Sequence, residues 1–290
     1  MDYKDFQIPL NGKFFLDSIA PAKTDGFRSK RSAEKKLAAD IEELSSLQSM
    51  LFAQDTYALL VIFQATDTAG KDGAIKHVLS GVNPQGVDVH SFRVPSAEEL
   101  NHDYLWRSMK VLPERGRIGI FNRSYYEEVL TVRVHPELLQ KEKLPEAART
   151  HNIWKERYED INAFERYLVQ NGIIPVKFHL RISKEEQRKR LLARIEEKDK
   201  NYKIGSADVY ERTFWDDYMK AYEEMLRHTS TEYAPWYVIP SDHKWFTRVM
   251  VADILVNTLK SLGLEYPAIS KQQEREIAKA KRLLENEKPG

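Results

Sequence analysis

Cysteine is absent from the 290 residues, which excludes disulfides, zinc–thiolate sites and thiol catalysis. No apolar run approaches the ~18 residues that a membrane-spanning helix needs, so no membrane partner is expected. Residues 1–10 carry early charges and lack an apolar signal core, so no export signal is read there and the expected location is the cytoplasm. Neither sign of charge dominates. The formal net charge is +1, which argues against a basic surface for nucleic acid and leaves any polyanion site to local clustering. Internal repeats, low-complexity linkers and composition shifts are also lacking, so residues 1–290 read as a single domain, with 1–30 as an extension over its surface. What is present suits a packed enzyme: 42% hydrophobic and 11% aromatic residues, with 31% charged.

Apolar positions Leu37, Ile41, Leu44, Leu47 and Leu51 recur at helical spacing, which predicts a helix from Ala33 to Ala53. Short apolar runs at 57–63, 87–92, 117–121, 173–182 and 235–239 have strand length, and helical stretches separate them. That alternation predicts an α/β three-layer sandwich, a mainly parallel five-stranded sheet flanked by helices. Capping boxes at Ser96–Glu99 and Ser183–Glu186 each predict a helix start just after a strand. A long helix is expected over Asp242–Leu262, capped by Ser241 or Asp242, and a charged helix over the tail from Ser270. Tyr218, Tyr222, Trp236, Trp245 and Phe246 are read as core or interface.

The string Ala65-Thr66-Asp67-Thr68-Ala69-Gly70-Lys71-Asp72-Gly73 follows the first apolar run and leads into a helical stretch. Strand, glycine-bearing loop with Gly-Lys, then helix is the layout of a phosphate-binding P-loop. Backbone N–H groups from Ala69 to Gly73 and the helix N-terminus offer partial positive charge, and Lys71 adds a full one, with Lys76 further along the helix. The loop departs from the usual pattern twice. Ala65 stands where a first Gly is usual, and Asp72 stands where a Mg²⁺-binding Ser or Thr should follow the Lys. Carboxylates at Asp67 and Asp72 would repel a phosphate unless a divalent cation lay between, which points to Mg²⁺, with Mn²⁺ as a substitute. For Asp72, complementing the helix dipole is the competing reading.

Asn122 and Arg123 emerge at the C-terminal edge of a strand, where α/β sheets bind ligands. Arg123 has the bidentate fork for phosphate oxygens. Asn122 occupies the position at which nucleotide kinases often carry a metal-ordering Asp. Glu127, one helical turn on, is aimed at metal or acceptor, or is simply the i,i+4 partner of Arg123. Arg133 continues the cluster. The segment 176–205 has a surplus of basic residues, among them Arg188, Arg190, Arg194 and Lys203, and it suggests a lid of the kind that closes over transferring phosphates. Arg107 is a candidate nucleotide phosphate contact, beside Asn122 and Glu127.

Taken together, these strings resemble the polyphosphate kinase type 2 family. The matching stretches are Phe63–Gly73, Asn83-Pro84-Gln85-Gly86-Val87, His102–Arg107, Ile120–Glu127, Glu211–Tyr218, Ala234-Pro235-Trp236 and Asp242–Arg248. The resemblance runs from about residue 35 to 265. It implies a P-loop kinase-like fold with a helical lid at about 184–226, inorganic polyphosphate as donor, AMP or ADP as acceptor, and a Mg²⁺ requirement. It also implies a homodimer or homotetramer. Asp67 and Lys71 match the family's essential P-loop pair, and Arg123 matches its phosphate-clamping Arg. The start Gln64-Ala65 and the string Asn122–Glu127 look like the class III branch, which acts on both AMP and ADP. Two rival readings share the fold. One is an ATP-dependent nucleoside monophosphate kinase resembling thymidylate kinase, disfavoured by Asp72 and Asn122. The other is a non-catalytic nucleotide-binding regulatory module, disfavoured by the arginine-rich lid.

Overall fold

Every residue of the run Ala58–Gln64 is buried, and it forms β1, the middle strand of the sheet in the computed structural model. The structure describes residues 3–10, 13–24, 26–27, 29–197 and 205–287. A strand covered on both faces has no need of polar alternation, hence its continuous apolar character. Its neighbours are β3 (Ile118–Asn122) and β4 (Ile173–Arg181), with β2 (Val87–Ser91) and β5 (Trp236–Pro240) at the edges, in the order β2-β3-β1-β4-β5. All of these pairings are parallel. The loops that leave β1, β2, β3 and β5 at their C-terminal ends therefore meet along one rim.

The helices are α1 (Lys30–Gln54), α2 (Lys71–Val78), the one-turn α3 (Trp106–Met109) and α4 (Thr131–Val134), α5 (Ile153–Gln170), α6 (Lys184–Glu196), α7 (Ser206–Glu211), α8 (Trp215–Thr229), α9 (Lys244–Ser261) and α10 (Lys271–Glu285). Ser29 starts α1 by accepting the Ser32 N–H, and Leu44, Leu47 and Leu51 bury one stripe of it. The helix α9 packs on α1, α2, β4 and β5, whereas α5 packs on β4 and α8. Alternation along β4 separates these faces. Lys177 and His179 meet Glu165 of α5 and Tyr222 of α8, while Phe178 stacks on Phe63 and tilts against Tyr237. Tyr222, Trp236 and Phe246 are buried in a core that runs from Phe6 to Leu259.

Four local expectations need correction. The Ser96–Glu99 box does form, with the Ser96 N–H donating to Glu99 Oε2 at 2.7 Å, but it opens only the 3₁₀ turn Glu99–Asn101. At Ser183 the expected helix, α6, does begin just after β4, but only half of the box is made. Its hydroxyl accepts the Glu186 N–H, while its own N–H donates to Asp242 Oδ1 at 2.8 Å. That bond occupies Asp242 outside α9, which begins at Lys244 without a side-chain cap. Residues before α1 are more than a surface extension. Gln7 bridges Tyr237, the Ile8 N–H donates to Trp236 O at 2.9 Å, and Phe6, Ile8, Phe14 and Leu16 are buried. This segment covers the outer edge of β5, where unpaired backbone groups would otherwise face solvent.

Candidate active site

The sheet rim opens into a cleft of about 850 Å³, floored by Asp67–Ala74 and walled by Asn122, Arg123, α6 and the first turns of α9. Two left-handed residues shape the floor: Thr68 with φ +61° and Gly70 with φ +108°. At Gly70 a side chain would be strained, so glycine suits the point where the loop turns into α2. Lys71, first in α2, is buried and donates from Nζ to Ala65 O at 2.9 Å, which ties the start of the helix back to the start of the loop. Burial, then the charge of Arg123, pulls the Lys71 ammonium down to about 8, against the opposing carboxylates of Asp67, Glu127 and Asp72.

The loop's departure at Asp72 is physically linked to the unusual Asn122 at the end of β3. Asn122 Nδ2 donates to Asp72 Oδ1 at 2.8 Å, so the residue that replaces Ser/Thr and the residue that replaces Asp hold each other across the cleft. Across the opposite wall Arg194 Nη1 donates to Asp67 Oδ2 at 3.2 Å. Arg123 has φ +63°, and its N–H donates to Phe63 O at 3.0 Å. Its guanidinium is held in the charged form chiefly by Glu127. Asp67 and Asp72 supply hard carboxylate oxygens. Among the described residues no group of three or more His, Cys, Asp or Glu could hold a metal alone. That donor chemistry fits Mg²⁺, which ordinarily takes one or two carboxylates and fills its other positions with phosphate oxygen and water.

The family model described as polyphosphate kinase 2 matches residues 27–266. This chain belongs to the polyphosphate kinase 2 family. An ADP-polyphosphate phosphotransferase of Rhodopseudomonas palustris is 50% identical over 97% of this chain and 98% of its own length. An AMP/ADP-polyphosphate phosphotransferase of Meiothermus ruber is 43% identical over 91% of this chain and 95% of its own length. The crystal structure of polyphosphate kinase 2 from Arthrobacter aurescens TC1 superposes with a TM-score of 0.85 at 39% identity, covering 95% of each chain.

Within this polyphosphate kinase 2 cleft, Asp67, Ala69, Gly70, Lys71, Asp72, Gly73, Asn122, Arg123, Arg190 and Arg194 come together as the sequence suggested. Arg190 is there in a different capacity. Its fork is occupied by Thr68 O and Ala69 O at 3.1 Å, Ser241 O at 2.6 Å and Asp242 O at 2.9 Å, and its Nε bonds Glu186. It braces the loop from behind. Glu127 does not line the cleft; its Oε2 accepts from Thr131 Oγ1, and it serves as the counter-charge of Arg123. Arg107 is buried outside the cleft, donating to Arg93 O at 2.8 Å with its guanidinium over the Phe92 ring. Arg133 is engaged by Tyr158 and Glu224, Arg188 pairs with Glu185 on the outer face of α6, and Lys76 is exposed beyond the cleft. Lys203 lies outside the described residues.

The sequence reading missed the far wall, formed by Phe92 and Arg93 after β2 and by Lys244, Thr247 and Arg248 on α9. Signals for both groups exist in the sequence. Arg93 follows a strand's C-terminal end, and Lys244 and Arg248 stand i,i+4 on one helix face.

Proposed function

We propose that this chain transfers the terminal phosphoryl group of inorganic polyphosphate to ADP and to AMP, forming ATP and ADP, with Mg²⁺ required and the reaction run in the cytoplasm. The observation that carries this reading is the interlock of Asp72 with Asn122 beside the buried Lys71. A loop with carboxylates in place of the metal-binding hydroxyl suits a donor that arrives densely charged and metal-laden. The relatives' names, ADP-polyphosphate and AMP/ADP-polyphosphate phosphotransferase, support the same donor and acceptors.

In this reading the P-loop N–H groups and Lys71 grip the donor's terminal phosphates, and Arg123 clamps the group in transfer. Arg93, Lys244 and Arg248 offer positive charge on the far wall to the remaining phosphates, a part that Arg133 and Arg188, held elsewhere, do not play. Asp67 and Asp72 would hold Mg²⁺, which when bound neutralises charge on the phosphate oxygens. The acceptor's terminal phosphate attacks in line, and catalysis is positioning plus electrostatic neutralisation with no covalent intermediate. We further propose that the chain assembles as a homodimer or homotetramer, which light scattering of the full chain tests.

The deciding assay supplies ADP or AMP with Mg²⁺ and polyphosphate and omits ATP. ATP formed from ADP, and ADP from AMP, is the expected result. Transfer that needs ATP and a nucleoside monophosphate would instead support a thymidylate kinase-like enzyme, and nucleotide binding without transfer would support a regulatory module.

A further inference from the structure

Beneath the Arg123 turn lies a polar cluster sealed from solvent. Lys177, in the middle of β4, and Glu165, on α5, are both fully buried and paired at 2.5 Å. The Lys177 ammonium spends its three hydrogens on Glu165 Oε2, Tyr126 OH at 2.9 Å and Thr229 O at 2.7 Å. Glu165 Oε1 accepts both phenols that follow Arg123, Tyr125 OH at 2.8 Å and Tyr126 OH at 2.7 Å. Burial, reinforced by Glu165, raises both phenols well above their ordinary range, so they stay protonated donors.

A buried ion pair is a weak source of net stability, since the desolvation of both charges offsets their attraction. Its effect on geometry is more distinctive. Arg123 sits in the left-handed region, a conformation that costs a non-glycine residue ~1 kcal/mol or more and persists only where its surroundings over-determine it. Each of the three residues after it is anchored inward. Ser124 Oγ accepts Gln64 Nε2 at 3.1 Å and the Tyr126 N–H at 3.2 Å, and the Tyr125 and Tyr126 hydroxyls end on Glu165. The same cluster holds the last residue of α8 through Thr229, so the floor of the Arg123 turn and the C-terminal end of α8 share one anchor.

We propose that Glu165 and Lys177 are positioning residues for Arg123, acting through Tyr125 and Tyr126; the proposal rests on the reading above that Arg123 clamps the transferring phosphoryl group. The test is a double-mutant cycle in the full-length protein. It uses Arg123→Ala, Glu165→Gln and the pair Tyr125→Phe/Tyr126→Phe, which removes only two hydroxyls and serves if Glu165→Gln does not fold. Rates of ATP formation from ADP and polyphosphate are expressed per folded molecule, with KM for ADP measured alongside. In the natural background the cluster variants should lower kcat about tenfold or more with KM for ADP little changed. In the Arg123→Ala background the same changes should alter kcat by no more than about twofold while still lowering the thermal midpoint. Equal losses in both backgrounds, or a lower midpoint with no loss of kcat, overturn the proposal. If Arg123→Ala itself transfers at the natural rate, the phosphate-clamp reading falls and this inference falls with it.

Discussion

At the scale of single residues, the cleft is governed by how charges are held before any substrate arrives. Lys71 carries a depressed ammonium, at about 8 against the ordinary 10.5, because it is buried and faces Arg123. Between those two values the unfolded chain keeps a proton that the folded chain has released. This group therefore makes folding more favourable as pH rises from about 8 to 10.5, and below 8 the native state bears the full cost of the buried charge. Activity has the opposite slope: kcat/KM for polyphosphate should decline above about pH 8, because that ratio reports the free enzyme. A profile flat to about pH 9.5 would remove Lys71⁺ from the binding step. Lys71→Ala should lower transfer by about 10²–10³ while circular dichroism stays native; near-full activity would refute its role as phosphate anchor. Asn122→Asp would set a carboxylate against Asp72, so the metal-free thermal midpoint should fall by about 2 °C and the half-saturating Mg²⁺ concentration should drop. If neither quantity moves, the pair does not tune the metal site. The pairing itself was not legible in the sequence, because fifty positions separate the two residues and only the parallel β1–β3 register brings their loops together.

At the scale of elements, α6 shows how one helix divides its arginines. Arg188 points outward to Glu185, Arg190 inward to four backbone carbonyls, and Arg194 across to Asp67. Sequence spacing identified the i,i+4 pair, Arg190 and Arg194, as sharing a face. It did not reveal that the Arg190 fork would be filled by carbonyls of the P-loop and of the β5 exit, since those acceptors are placed only when the strands align. Arg190→Ala should destabilise the fold by about 3 kcal/mol, as charged hydrogen bonds to buried carbonyls are lost. Arg188→Ala should leave the urea midpoint where it is. Equal effects in urea melts would contradict this division. The Ser96 box is a related case. The reciprocal bonds form, but a cap cannot extend a helix whose following residues turn at Asp103, where Oδ1 accepts the Leu105 N–H.

At the scale of the whole molecule, the two ends of the chain behave differently. The segment before α1 buries Phe6, Ile8, Phe14 and Leu16 and joins the β5 edge, whereas α10 has no buried residue. Deleting residues 1–22 should therefore lower unfolding free energy by roughly 5 kcal/mol or more, from the apolar burial lost. Deleting 270–290 should leave the midpoint of the remaining chain within about 2 °C; the reverse ranking in urea and thermal melts would refute this reading of the ends. Among the described residues no helix is long and apolar enough to cross a membrane. The sequence by itself determined the strands, the glycine-bearing loop and the family, and picked out Asp67, Lys71 and Arg123 as residues of one cleft, because these are written in local periodicity and contiguous strings. Only the tertiary structure decided which cations face the cleft. Arg93, Lys244 and Arg248 enter it, while Arg107, Arg133 and Arg188 do not, because the direction of a long side chain depends on which acceptors folding brings within its reach.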